Sequence, residues 1–418
     1  MMALMSRVFE EPRSLTGDGV RRTLAAIVER VPVAVSEVPS GTPLFDWTTP
    51  DEWTVRAARI TGPGGATVAD VADSPLHLLG YSTAVDAQMT RAELLPHLHS
   101  LSTRPDAVPF RTSYWERAWG FCLAQRVVDN LPEGDYRVLI DADLAPGSLT
   151  YGEIVIPGAS PETVLISTPI CHPGLANDNL SGVALLAELG TVLAASGPHR
   201  LSYRLLMSPG TVGPLAWLAA NGDLLPRVVA GFGVMCVGDA GPITYKRSRR
   251  GDTITDRAAV VALRDLGVAH QLRDWVPWGG DERQFCALGF DLPIGALSRT
   301  PPGEYPENHT SDDDLNFVDA DHLEASLQAT LSILRVIDGD ERLRNTSPMG
   351  EPQLGRRGLT RRQGGQKGDA HEAAMLWALS MGDGQTPLSE VAVRSGIPFD
   401  VVREAADDLL GAGLLSAV

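Results

Sequence analysis

The chain has 418 residues, 44% hydrophobic and 21% charged, an ordinary balance for a globular protein and enough length for two or three domains. Its formal net charge of −17 excludes the basic footprint of a general nucleic-acid binder. The four cysteines form no CxxC pair, which argues for reduced, buried thiols rather than a disulfide framework.

The N-terminal "MMALMSRVFEEPRSL" carries acids and arginines where a signal peptide needs an apolar run. No stretch is read as approaching the roughly 20 apolar residues of a membrane span. The expectation is a soluble, cytoplasmic protein. Residues 6–32 are predicted to be helical, with Val20, Leu24, Ile27 and Val31 on one stripe. From 36 to 105, "LFDWTTPDEWTVRAARITGPGGATVAD" mixes β-formers with Pro-Gly-Gly turns and predicts a small inserted β-rich domain.

Residues 1–35 and 106–345 are assigned to a main α/β body. "YRVLIDADL", "TVLISTPI", "LSYRLLMSP", "VVAGFGVMCVG" and "FDLPIGALS" read as strands. They alternate with the helix candidates "SGVALLAELGTVLAAS", "GPLAWLAANGD" and "ADHLEASLQATLSILRVI". Such alternation predicts a mixed, largely parallel sheet covered on both faces. The Gly-, Arg- and Gln-rich 346–368 reads as a linker, and 369–418 as a winged-helix-like module with a turn at Gly396.

Ligands of open α/β sheets bind beyond the carboxyl ends of the strands. Four polar clusters fall at predicted strand ends: His172 and Asp178 in "CHPGLANDN", Asp239, the pair Asp281 and Glu282 in "WGGDERQF", and His309 in "ENHTSDDDL". Singly, each has an ordinary reading. A strand-end histidine is usually a loop residue, Asp178 a cap or turn aspartate, Asp239 a turn aspartate, and Asp281 with Glu282 a solvated loop. Together, two histidines and several carboxylates are what a zinc hydrolase needs: ligands for the ion, with a position left for water.

The segment "CHPGLANDNLSGVALLAELG" resembles the metal-binding segment of zinc exopeptidases, the superfamily of bacterial aminopeptidases and glutamate carboxypeptidase II relatives. "GGDERQF" and "ENHTSDDDL" are similar to two later segments of that superfamily. "RSLTGDGVRRTL", "SYWERAWGFC", "YGEIVIPG" and "YKRSRRGD" resemble a narrower bacterial group with an inserted β domain and a C-terminal winged helix. The resemblance implies a three-layer phosphorylase/hydrolase-like zinc-peptidase core. It also implies one or two zinc ions, with His172, Asp178 and Asp239 at one and Asp178 with His309 at the other. The family's Glu-Glu pair is replaced by Pro209 and Gly210, and the aspartate that usually follows its first histidine by one residue is absent from "CHP".

Glu282 is therefore expected to serve as the base, with Asp281 and Glu153 behind it. Tyr245, Lys246 and Arg247, followed by Arg249 and Arg250, are expected to receive an anionic group of the substrate. The alternative for that run is a solvated basic loop. The expected activity is hydrolysis of an amide in a small peptide or amide-bearing metabolite. A catalytically reduced binding or scaffold protein is the alternative. Homo-oligomerisation through the C-terminal or inserted domain is a further expectation. Nucleic-acid binding is the weakest reading, because residues 369–418 hold eight acids against Arg394 and Arg403.

Overall fold

The computed structural model describes residues 1–359 and 369–418. Its main sheet has eight strands: β1 (Ala34–Pro39), β2 (Ser148–Ile156), β3 (Thr163–Pro169), β4 (Ser202–Ser208), β5 (Val228–Val234), β6 (Ile243–Lys246), β7 (His270–Arg273) and β8 (Ile294–Ser298). They lie in the order β1-β2-β4-β3-β5-β8-β6-β7. The central four, β4, β3, β5 and β8, run parallel, while β2 and β6 flank them antiparallel. Strand β3 is buried at every position, as expected for the middle of a sheet covered on both sides.

Alternation along the strands sends side chains to two separate cores. Val164, Ile166, Tyr203, Leu205 and Met207 join the first, with α1 (Met2–Val8), α2 (Asp18–Val28), α3 (Gly182–Ser196), α5 (Ile254–Leu266) and α6 (Ala320–Gly339). Leu165 and Leu206 join the second, with α4 (Val212–Ala220) and the β-rich insertion. That is a three-layer α/β core. The segment Ala176–Ser196, including α3, is long and apolar enough to cross a membrane by composition, contrary to the sequence reading, but 67% of its apolar window is buried in this core.

Several boundaries move. The helix expected over 6–32 is two helices, α1 and α2, interrupted around Pro12 and Gly17. Gly17 has φ +95°, and a Cβ there would lie 2.6 Å from the Trp53 carbonyl oxygen. The inserted β domain does not close at 105. Its four-stranded sheet runs Thr67–Asp70, Glu52–Thr61, Asp135–Ala145, Val85–Thr90, so "YRVLIDADL" is one of its central strands rather than part of the main body. Residues 34–39, mostly assigned to the insertion, form the edge of the main sheet.

The C-terminal module begins earlier than 369, because Arg342–Asn345 is the middle strand of its three-stranded sheet, between Asp383–Pro387 and Leu415–Ala417. Its helices are α7 (Ala370–Ser380), α8 (Leu388–Ser395) and α9 (Phe399–Gly411). Gly396, at φ +69°, ends α8 as the sequence predicts. Of the expected linker 346–368, residues 360–368 lie outside the described residues.

Candidate metal centre

Strand β3 ends at Pro169, and the six residues that follow, His172 among them, lead into the turn 176–181, all of it buried. A buried polar turn must have its hydrogen bonds satisfied from within, and this one is tied mainly to the end of β5. Asn177 Nδ2 donates to Asp239 Oδ2 at 2.9 Å, and its side-chain Oδ1 accepts from the Gly238 amide at 2.8 Å. Asn179 donates to Thr168 Oγ1 and the Pro169 carbonyl, and accepts from the Cys236 amide. Ser181 Oγ donates to the Asn177 carbonyl and accepts from the Val237 amide. Asp313 accepts from the amides of both Asn177 and Asp178, at 2.5 and 2.9 Å. The next residue is Gly182, where a Cβ would meet Thr168 Oγ1 at 2.4 Å.

This scaffold presents Asp178, 1% exposed, to two imidazoles. His172 Nδ1 lies 3.1 Å from Asp178 Oδ1, and His309 Nε2 lies 3.0 Å from Asp178 Oδ2. Ligand atoms of the three side chains all fall within 4.8 Å of one another. The two rings meet edge to face at 5.2 Å, and Phe110 stands 5.4 Å from each. Asn308 donates a further hydrogen bond to Asp178 Oδ2 at 2.9 Å. Arg13, buried in the "RSLTG" segment, donates to the His172 carbonyl at 2.9 Å, and burial pulls its guanidinium down to about 10.

Burial alone would raise Asp178, but the charges and hydrogen bonds of His172 and His309 outweigh it and hold the carboxyl well below the usual range. Burial disfavours the His309 cation, and Asp178 overrides that to raise the imidazole. A carboxylate kept ionised between two imidazoles is a donor set that suits zinc. Asp313, pushed up to about 7 by burial against the opposing amides, holds the turn from behind. Thr211, Cys236 and His309 all have positive φ (67°, 51° and 56°), so backbone strain gathers where β4, β5 and the 301–309 loop converge.

Not every expected residue arrives. Asp239 does not join His172, Asp178 and His309. Its carboxylate is saturated by Asn177, the Gly241 amide and Thr300, which makes it a clasp between strand ends. Glu282 is likewise withdrawn: buried at 1% exposure, it pairs with Lys246 Nζ, which also donates to the Trp278 carbonyl. Met235, Trp278, Gly280 and Pro301 complete a separate cavity of about 430 Å³ around that pair. Tyr245 is fully buried and donates to Asp256 Oδ1 at 2.9 Å, so it cannot meet a substrate. Arg247 turns to Gly251 and Asp274, and Arg249 to Asp291. Lys246 alone of this run reaches a cavity among those described around Glu282. Glu153 accepts from Trp217 and Arg204 inside the sheet's second core.

Asp281 behaves differently. One oxygen accepts from the Thr211 amide at 2.7 Å and no lysine among the described residues pairs with it, while Oδ2, like Glu282 Oε2, is buried without a partner. Burial pushes the carboxyl up to about 7. A Cβ on Gly210 would lie 4.0 Å from Asp281 Oδ1 and 3.6 Å from Cys171 Sγ. Burial pushes the Cys171 thiol up to about 12; the Gly210 amide opposes this, and the charges of Asp281 and Asp178 add to it. Asp281 therefore sits beside the residue preceding His172, in the space at the end of β4 that lacks an acid in the sequence. Asn308, Asp313 and Arg13 were missed as supports. The only local signal for Asp313 is the run Asp312–Asp314, which by itself reads as a solvated loop.

Residues 2–340 match the family described as "Domain of unknown function (DUF4910)", and residues 341–417 a winged helix-turn-helix. A Clostridium acetobutylicum protein named for polysaccharide biosynthesis and an aminopeptidase-like domain is 40% identical over 416 residues, covering 99% of this chain and 95% of its own. A crystal structure of a Clostridium acetobutylicum protein named as a peptidase superposes with a TM-score of 0.93 at 40% identity, covering 100% of this chain and 96% of the other. The Bacillus subtilis zinc aminopeptidase matches with a TM-score of 0.57 at 12% identity, over 80% of this chain and 93% of that one. A Shewanella amazonensis M28 peptidase precursor matches at 0.55 and 13%, over 81% and 92%. The last two share the fold. The chain belongs to the DUF4910 family, an aminopeptidase-like core followed by a winged helix-turn-helix.

Proposed function

We propose that the protein is a zinc-dependent amide hydrolase holding one ion on His172, Asp178 and His309, and that its substrate is an amide carried on a sugar. The observation that carries the reading is the convergence of three ligand atoms within 4.8 Å on a scaffold with satisfied hydrogen bonds. One ligand is missing from each of the two implied sites, since Asp239 is saturated elsewhere and residues 209–210 carry no acid; this favours a single ion. Zinc, when bound, supplies Lewis acidity that polarises a carbonyl and makes water acidic near neutrality.

The chain supplies the rest. Asp178 and its two imidazoles would form the ligand set, Asn308 and Asp313 fix the carboxylate's orientation, and Phe110 packs against both rings. Asp281, rather than Glu282, is the proton acceptor. Each keeps one buried oxygen without a partner, but Glu282 is held by Lys246, whereas the Asp281 carboxyl, pushed up to about 7, suits a group that takes a proton at neutral pH. The sugar-borne amide is supported by the Clostridium relative's name, which joins polysaccharide biosynthesis to an aminopeptidase-like domain.

The second reading, a binding protein with a reduced site, is favoured by Pro209 and Gly210. Hydrolysis of N-acyl amino sugars and of aminoacyl anilides by the zinc-loaded protein decides between them. The expected result is turnover abolished by chelation and lowered about 10²–10⁴-fold in Asp281→Asn with zinc content unchanged. Wild-type protein that binds stoichiometric zinc and hydrolyses neither class supports the second reading.

A further inference from the structure

The inserted domain carries a second concavity, of about 400 Å³, that none of the residues above explains. Its lining includes His97, His99, Ser113, Trp115, Glu116 and Trp119. Trp115 is 61% exposed, although a side chain of that size is normally mostly covered. Its ring is held edge-on against Trp47, with centroids 5.1 Å apart and planes at 81°. Trp119 stacks on His97 at 3.6 Å and 12°. Two indoles are thus braced by other rings at one concave surface, with hydroxyl, imidazole and carboxylate groups beside them.

We propose that this concavity is a saccharide-binding subsite serving the metal centre; the link to the centre rests on the function proposed above. A pyranose offers one face of C–H groups and a rim of hydroxyls. The apolar face stacks on an exposed indole, and the rim is met by Ser113, Glu116 and the imidazoles, which donate or accept according to tautomer. Among the described lining residues there is no lysine or arginine, although Arg111 lies near His99, so a phosphate-bearing nucleotide is the competing ligand that the test must separate. Burial, with Arg111 and His97 nearby, lowers His99 and favours its neutral form, which can accept as well as donate.

The subsite is joined to the centre by one strap of chain. The Phe110 amide donates to the His309 carbonyl at 2.8 Å, and Val108 exchanges hydrogen bonds with Ser311 at 2.8 and 3.0 Å. Phe110 then packs against both imidazoles. Trp115 follows five residues later, so its Cα lies at most about 18 Å from that of Phe110. A sugar on the indole and an amide at the imidazoles fall within the span of a short oligosaccharide.

Full-length protein is titrated with chitotriose, cellotriose and uridine monophosphate, with and without zinc, following tryptophan fluorescence and calorimetry. Saturable binding of at least one saccharide is expected. Trp115→Ala should weaken it about tenfold or more, the effect of losing one stacking ring, with Tm unchanged. Trp115→Phe should retain most of it. His309→Ala should abolish zinc binding and leave saccharide affinity intact, so loss of the metal reading alone is recognisable. Zinc-dependent hydrolysis without saccharide binding sinks the subsite alone. No binding up to the solubility of the sugars, equal binding by Trp115→Ala, or preference for the nucleotide overturns the proposal.

Discussion

Asp178 and Asp281 are both buried carboxyls, yet their surroundings drive them in opposite directions. Two imidazoles hold Asp178 ionised, whereas Asp281 meets one backbone amide and has an oxygen left over. The folded carboxyl of Asp281 is pushed up to about 7, against about 3.9 in an unfolded chain. Between those values the native state keeps a proton that the unfolded state has lost. Its contribution to stability is complete below about pH 4 and is lost as pH rises through 7. Asp281→Asn should therefore gain stability relative to wild type as pH rises from 4 to 8, measured as the difference in Tm at each pH; an unchanging difference contradicts the assignment. His172, Asp178 and His309 were legible from residue type, turn chemistry and resemblance. Asp239 was not, because its partners Asn177 and Thr300 come from distant segments. The placement of Glu282 was not legible because the adjacent acids 281 and 282 part company: one reaches Thr211 and the other Lys246.

At the scale of elements, the turn 176–181 is held by the ends of β3 and β5 and by Asp313 in the loop before α6. Asp313 satisfies two of its amides at once. Asp313→Ala strands both donors in a buried setting, so Tm should fall and zinc affinity should weaken about 10–100-fold with all three ligands intact. Unchanged affinity by competition with a chelating dye would show that Asp313 does not orient the site. The central strands and α3 were legible because buried parallel strands read as continuous apolar runs. "DYRVLIDADLA" instead alternates exposed and buried positions, the mark of a half-covered antiparallel strand, and its correct sheet was written in that alternation. Helix α5 escaped notice although Thr253 and Asp256 form a capping box and Gly267 ends it in the left-handed region. Strands β6 and β7 have four residues each, too few to establish a period.

Across the whole molecule, the winged helix is built onto the peptidase-like core. Phe399, Val402, Leu388 and Ala374 belong to the same apolar cluster as α3, α5 and α6. Arg264 on α5 donates to the carbonyls of Ala392 and Ile397, the Asp265 carboxylate accepts from the Phe399 amide, and Asp340 accepts from Ser389. Of the module's arginines, Arg394 pairs with Glu390 and Arg403 with Glu341 and Asp407, while Arg342 and Arg344 stand exposed on its middle strand. With a net charge of −17, the full chain should show no retardation of duplex DNA at physiological salt, since phosphate contacts need an excess of positive charge. Salt-dependent retardation would contradict this.

The account depends most on His172, Asp178 and His309 gripping one cation together. Zinc titration of the apo protein, with bound metal counted by mass spectrometry under native conditions, tests that directly. One ion per chain is expected for wild type, with affinity collapsing in each of His172→Ala, Asp178→Ala and His309→Ala while the fold persists. A folded wild type that takes up no zinc, or three variants that bind it undiminished, would contradict the claim.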